Sequence, residues 1–232
     1  MENNTQQKLS TPMAIIAAGF LIMMGIIITK LPPQKDALPK KEATTQEETN
    51  IVIAPVTADD HVRGDLATAE VLIVEYSDLE CPFCKNFHKS LNTAMAKYPG
   101  KIAWVYRHFP LDMHPKALVE ARATECVASL GGNDAFWKYV DNIFEITPAN
   151  NGFDLSLLPT LATKVGVDKS AFDKCFAEDT FDAKIEAQIK DGEKAGVQGT
   201  PHSIIVTKEG KQYPIKGADE DTLNSTLEML LK

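Results

Sequence analysis

The 232-residue chain carries 32 acidic and 24 basic side chains, a formal net charge of −8, with 44% apolar and 24% charged residues. That balance is ordinary for a globular protein, and with no Lys/Arg cluster to track phosphates it argues against a nucleic-acid partner. Setting aside a non-globular N-terminus of about sixty residues leaves roughly 170, enough for one domain with a substantial core.

After a short tail of residues 1–12, Met13–Ile28 (MAIIAAGFLIMMGIII) is free of charge. With Thr11, Pro12 and Thr29 the run is about nineteen residues, close to the ~20 needed to cross a bilayer. A cleaved signal peptide is the rival reading. Its apolar stretch is usually shorter and ends in a small-x-small site, whereas this one ends Ile26-Ile27-Ile28-Thr29-Lys30. Residues 13–29 are therefore read as an uncleaved, single-pass transmembrane signal anchor. Lys8 precedes it and Lys30, Lys35, Lys40 and Lys41 follow, which leans against export. That rule weakens when a long domain follows the span, so the redox chemistry below decides and places the domain outside the cell membrane. Residues 30–60 are polar and proline-rich, a flexible linker. Within them Ile51-Val52-Ile53 reads equally well as an extra edge strand or as plain linker.

Residues 61–232 form the folded domain. Val71-Leu72-Ile73-Val74 is a continuous β-rich run, as expected of a strand buried on both faces. A helix follows from Pro82 to about Tyr98, with Phe87, Leu91, Met95 and Tyr98 on one face and Pro99-Gly100 as its stop. Ile102–Phe109 is a second strand, completing a strand–helix–strand crossover. From about Pro115 to Ala195 no strand signal appears, and breaks at Gly131-Gly132, Pro148–Gly152, Gly166 and Glu178-Asp179 give four or five helices. His202–Val206 and Gln212–Lys216, joined at Lys208-Glu209-Gly210, form a hairpin. Asp219–Leu231 closes the chain as an amphipathic helix.

Cys81-Pro82-Phe83-Cys84 follows the first strand and opens the helix. Pro82 suits a first helical turn, where free N–H groups and the positive helix end favour an anionic sulfur at Cys81. Helical spacing puts Cys84 on the core face and Cys81 at the exposed tip. Cys81 then attacks a substrate, and the covered Cys84 resolves the mixed disulfide. Asp78 and Glu80 oppose a thiolate; Lys85 favours one. Glu75, at the end of a strand buried on both faces, is a candidate proton acceptor for Cys84 with its own pKa raised by burial, unless the strand end has reached solvent. Cys81 and Cys84 are also half of a conceivable zinc site, with His88, His108 and His114 in reach. No second C-x-x-C or H-x₃₋₅-H completes it, so neither metal nor cofactor is expected. His88 is read as a helix-surface residue, and His202 as lying near the redox site without a role. Cys126 and Cys175 fall on inner faces of two helices of the helical stretch, as partners in a disulfide or as two buried free thiols.

The segments EYSDLECPFC, RHFPL-x-x-HP, ATEC, FDKCF and GVQGTPHSIIV, in that order, resemble the DsbA-like family of thioredoxin-fold oxidoreductases, in particular the membrane-tethered or secreted Bdb-type members of bacterial envelopes. The likeness runs from about Arg63 to Lys232. It implies an α/β thioredoxin fold with an inserted all-helical subdomain at about 115–195, preceded here by the N-terminal transmembrane helix. It also implies a redox-active Cys81–Cys84 disulfide, a cis bond between Thr200 and Pro201 beside it, strand-like pairing of a client with Thr200, and a structural Cys126–Cys175 disulfide. The activity implied is a protein-disulfide oxidoreductase. It is read as a dithiol oxidase acting on unfolded or reduced exported proteins and reoxidised by a membrane quinone-linked partner; reductase or isomerase is the alternative. One position departs from the pattern. Phe83 stands where the most oxidising relatives carry His, and it can neither donate a hydrogen bond nor bring positive charge to Cys81.

Overall fold

The computed structural model describes residues 51–232. The proposed membrane anchor at 13–29, the tail before it and the linker up to residue 50 lie outside the described residues. Among those described, no helix is long and apolar enough to cross a membrane.

Five strands form one mixed sheet: β1 His61–Arg63, β2 Val71–Ser77, β3 Ile102–His108, β4 His202–Thr207 and β5 Gln212–Lys216, in the order β1-β3-β2-β4-β5. β2 and β3 are parallel, in register from Val71↔Ile102 to Ser77↔His108, and every other pairing is antiparallel. Helix α1 (Pro82–Lys97) connects β2 to β3, and α6 (Glu220–Leu230) closes the chain. Asp219 caps α6 by accepting from the Thr222 amide, the usual remedy for a free helix N–H. Between β3 and β4 lie α2 (Pro115–Ile146), α3 (Leu158–Lys164), α4 (Lys169–Phe176) and α5 (Asp182–Lys194).

The alternation of β2 explains why a continuous apolar run was needed. Val71 and Ile73 enter one core with α1, α2 and α6, while Val74 and Tyr76 enter a second. Successive strand residues face opposite sides, so both faces of β2 are dry. In the second core α5 lies hard against the sheet: a Cβ on Gly192 would sit 2.8 Å from the Phe109 ring. The break expected at Gly131-Gly132 is a kink within α2, where Gly132 takes φ 79° and ψ −177°, a backbone that residues with a Cβ avoid.

Residues 51–60, assigned above to the flexible linker, are instead packed, and Ile51-Val52-Ile53 adds no strand. Ile51, Ile53 and Val56 cover the second core. The buried Arg107 fastens the segment, through Asp60 at 3.0 Å and the Ala54 carbonyl at 3.1 Å. An arginine inside a domain needs its charge and donors satisfied, and these residues supply part of that shell. The edge strand is β1. His61 at its start meets Glu125 of α2 at 2.9 Å, and Glu125 is also reached by Lys184 at 2.7 Å and His108 at 3.3 Å. The insertion is thereby tied to the sheet. A disulfide joins Cys126 of α2 to Cys175 of α4, which the sequence alone left open.

Candidate active site

Cys81 is the N-cap of α1, with Pro82 in the first turn and no side-chain cap. The amide hydrogens of the first turn are therefore left for the Cys81 sulfur. Thr200 and Pro201, 119 residues downstream in the chain, complete the site. Their peptide bond is cis, and the Thr200 carbonyl lies 3.4 Å from Cys81 Sγ. This contact corrects the expectation of an exposed tip: Cys81 is only 3% exposed, against 0% for Cys84. The exposed residue of the motif is Phe83, at 62%.

The two thiols differ in electrostatics more than in area. A hydrogen bond from Cys84 is the largest influence on Cys81. Helped by Thr200 and the Phe83 and Cys84 amides, it outweighs burial and brings the Cys81 pKa down to about 6. Cys84 is pushed well above its usual value, first by burial, then by the Cys81 and Glu75 charges. One sulfur is a ready thiolate and the other a held thiol.

Glu75 is fully buried on β2, in register with Tyr106 and Ser203. The strand does not reach solvent there; it continues to Ser77. Burial is the main cause raising the Glu75 pKa to about 7, and the Trp104 indole N–H, at 2.9 Å from Oε2, offsets only part of it. Oε1 has no hydrogen-bond partner. A buried carboxyl that titrates near neutrality, and whose charge acts on Cys84, can move a proton at that sulfur.

The charges flanking the motif are arranged differently from what their order suggests. Lys85 turns away from Cys81 and donates to the Thr147 carbonyl at 2.6 Å, at the C-terminal end of α2. Asp78 is buried and accepts from the Glu80 and Leu111 amides and from His114 Nδ1 at 2.9 Å. Glu80 is buried too. Its backbone carbonyl accepts from the Asn150 amide at 2.7 Å and its carboxyl from the Phe153 amide at 3.1 Å. The residues holding this loop in place, Ala149, Asn150 and Asn151, all have positive φ, which is costly for residues with a Cβ. Facing Glu80, Glu120 of α2 is buried with both oxygens unpartnered. Burial first, and the Glu80 charge second, raise its pKa to about 9. Glu120 and the 149–153 loop were missed at sequence level. A carboxylate on the core face of a predicted helix was the available signal.

His88 is not a surface residue. It is 3% exposed, bonded through Nε2 to Asp141 at 2.6 Å and set against the Trp104 ring. Burial is the leading cause lowering its pKa. His108 and His114 serve Glu125 and Asp78 respectively. His202 is buried, with Nε2 unpartnered. Among the described residues no group of three or more His, Cys, Asp or Glu is arranged to hold a metal ion.

A dithiol at a helix start, opposed by a cis-proline turn on a mixed sheet, is an arrangement suited to thiol–disulfide exchange. A thioredoxin family model matches residues 57–227. The crystal structure of Pseudomonas aeruginosa DsbA2 matches at 32% identity and TM-score 0.63, over 76% of this chain and 97% of that one. Oxidised BdbD from Bacillus subtilis matches at 24% identity and TM-score 0.66, over 79% and 99%, a likeness of fold. The chain belongs to the DsbA-like family of thioredoxin-fold proteins. Among curated relatives, the Na(+)/H(+) antiporter NhaA 3 of Salinispora tropica is 32% identical over 160 residues, 66% of this chain. The chain spans only 23% of that relative's length.

Proposed function

We propose that the chain is an extracytoplasmic dithiol oxidase that gives its Cys81–Cys84 disulfide to unfolded or reduced exported proteins. In this reading residues 13–29 hold it at the cell membrane, and a quinone-linked membrane partner restores the disulfide. The observation that carries the reading is the placement of Cys81 at the start of α1, with Cys84 buried beside it and the cis Thr200–Pro201 turn 3.4 Å from its sulfur.

A client thiolate attacks Cys81 Sγ, and the Cys81–Cys84 bond breaks. Cys84 leaves with the electron pair and takes a proton; Glu75, protonated in half the molecules near pH 7, is placed to supply it. A second client thiolate then attacks the client sulfur of the mixed disulfide and expels Cys81. The client loses two electrons and the Cys81–Cys84 pair gains them. Expulsion is favourable in proportion to the stability of the departing thiolate, so a depressed Cys81 pKa drives transfer towards the client. A pKa of about 6 falls between those of weakly and strongly oxidising relatives of this chemistry, ~7 and ~3.5. The corresponding reduction potential lies between about −270 and −120 mV. Phe83, exposed and without a polar hydrogen to offer, is one reason the pKa is not lower.

Equilibration with glutathione measures this potential. A value at or below about −270 mV would overturn the oxidase reading in favour of a reductase. In cells Cys84→Ala should accumulate mixed disulfides with exported proteins and Cys81→Ala should not; equal trapping would contradict the assigned roles.

A further inference from the structure

A cavity of about 260 Å³ adjoins the cis-proline turn, with Gln198, Thr200, Pro201, His202, Lys216 and Gly217 among its walls. Thr200 is shared: its carbonyl touches Cys81 Sγ, and its residue forms the cavity wall. Whatever occupies the cavity therefore lies within a residue or two of the reacting sulfur.

The walls ask for a hydrogen-bonding, negatively charged occupant. His202 Nε2 has no hydrogen-bond partner, although the residue is only 4% exposed. Buried polar atoms left so are costly until something pairs with them. Lys216 stands directly opposite His202 in the β4–β5 register and, among the described residues, makes no ion pair. No acidic side chain lines the cavity, in a chain where acids outnumber bases 32 to 24. Lys216 and His202 thus line the cavity side by side with no acidic residue beside them.

We propose that this cavity binds an acidic side chain of the client, one or two residues from the client cysteine. The proposal rests on the oxidoreductase reading above and adds a substrate preference to it. An extended client pairing with the Thr200 backbone points alternate side chains to opposite sides. One neighbour of its cysteine then faces the cavity, where a carboxylate meets Lys216 and the unpartnered His202 Nε2.

The test uses the full oxidised chain and single-cysteine peptides that differ only in Glu or Gln, placed in turn at each of the two positions on either side of the cysteine. Rates of mixed-disulfide formation are measured for wild type, K216Q and K216E. Comparing ratios cancels the peptides' intrinsic reactivities. At one position, wild type should favour the Glu peptide over the Gln peptide by about fivefold relative to K216Q, a magnitude set by a partly solvated ion pair. K216E should invert the preference, and about 0.5 M salt should erase it. K208E, the same charge change on the β4–β5 turn, should leave it intact. Equal Glu/Gln ratios in wild type and K216Q at all positions, or an effect shared by K208E, would overturn the proposal while oxidation of the Gln peptides continued. Failure of wild type to react with any peptide would instead sink the oxidoreductase reading.

Discussion

Glu75→Gln should make the reduced protein more stable and a slower catalyst. Glu75 has its pKa raised from the usual 4.5 to about 7, mainly by burial. The folded protein thus keeps this proton longer than the unfolded chain does. The associated stability is fully present below pH 4.5 and is lost as pH rises through about 7. At about 1.4 kcal/mol per pH unit, the loss across that window approaches about 3 kcal/mol. Glutamine is neutral at every pH and keeps an oxygen for the Trp104 indole. Urea unfolding of the reduced protein at pH 5 and 7.5 should show Glu75→Gln gaining up to about 3 kcal/mol at the higher pH and little at the lower. The same variant cannot shuttle a proton to Cys84, so release of Cys84 from the disulfide should slow by about tenfold to hundredfold. A variant less stable than wild type at pH 7.5, with an unchanged pH slope, would refute the burial argument. Unchanged exchange rates would remove Glu75 from the mechanism.

Because the Cys84 hydrogen bond is the largest influence lowering the Cys81 pKa, Cys84→Ala should move the Cys81 titration from about 6 towards 9. Thiolate absorbance or alkylation rate against pH reads this directly, and a titration still near 6 would put the stabilisation elsewhere. Phe83→His, which brings an N–H donor to the sulfur, should lower the Cys81 pKa further and raise the reduction potential against glutathione; no change in either would mean that residue 83 does not face the thiolate. Replacing Cys126 and Cys175 by Ala opens a loop of sequence separation 49, which the loop-entropy relation values at about 4 kcal/mol. Denaturation under non-reducing conditions checks it, and a loss well under 1 kcal/mol would mean that helix packing alone holds the insertion together.

Local signals were readable wherever one segment decides its own structure. The β-rich run at Val71, the Pro99-Gly100 stop and the β4–β5 hairpin are properties of short windows, and β5 has the bounds its sequence indicates. The motif order also placed Cys81, Cys84, Glu75 and Pro201 together. Side chains whose fate is set by distant partners were not readable. His88 was expected at the helix surface although it follows Cys84 by four residues on the core face, and Asp141, 53 residues away, makes its burial tolerable. Lys85 is drawn from Cys81 by a helix end 62 residues on. Cys81 is covered because a turn 119 residues downstream folds over it. Residues 51–60 look like linker until Arg107, buried in β3, is seen to require their carbonyls and Asp60.

The same distance dependence resolves an apparent conflict at the site. By sequence, Cys81 is surrounded by acids: Glu75, Asp78 and Glu80 precede it and Glu120 joins them in the fold. Four ionised carboxylates beside a thiolate would raise its pKa, not lower it. Burial removes part of that opposition, because it raises the pKa of two of these carboxyls. Glu120, raised to about 9, is neutral at pH 7, and Glu75, raised to about 7, is half neutral. Asp78 is engaged by His114. The formal count of charges thus overstates the field at Cys81, where the hydrogen bond from Cys84 and the amides of the open helix start decide the outcome. Two of its acidic neighbours, Glu120 and Glu75, are buried deeply enough to keep protons near neutrality, and to that extent the field opposing the thiolate is weakened.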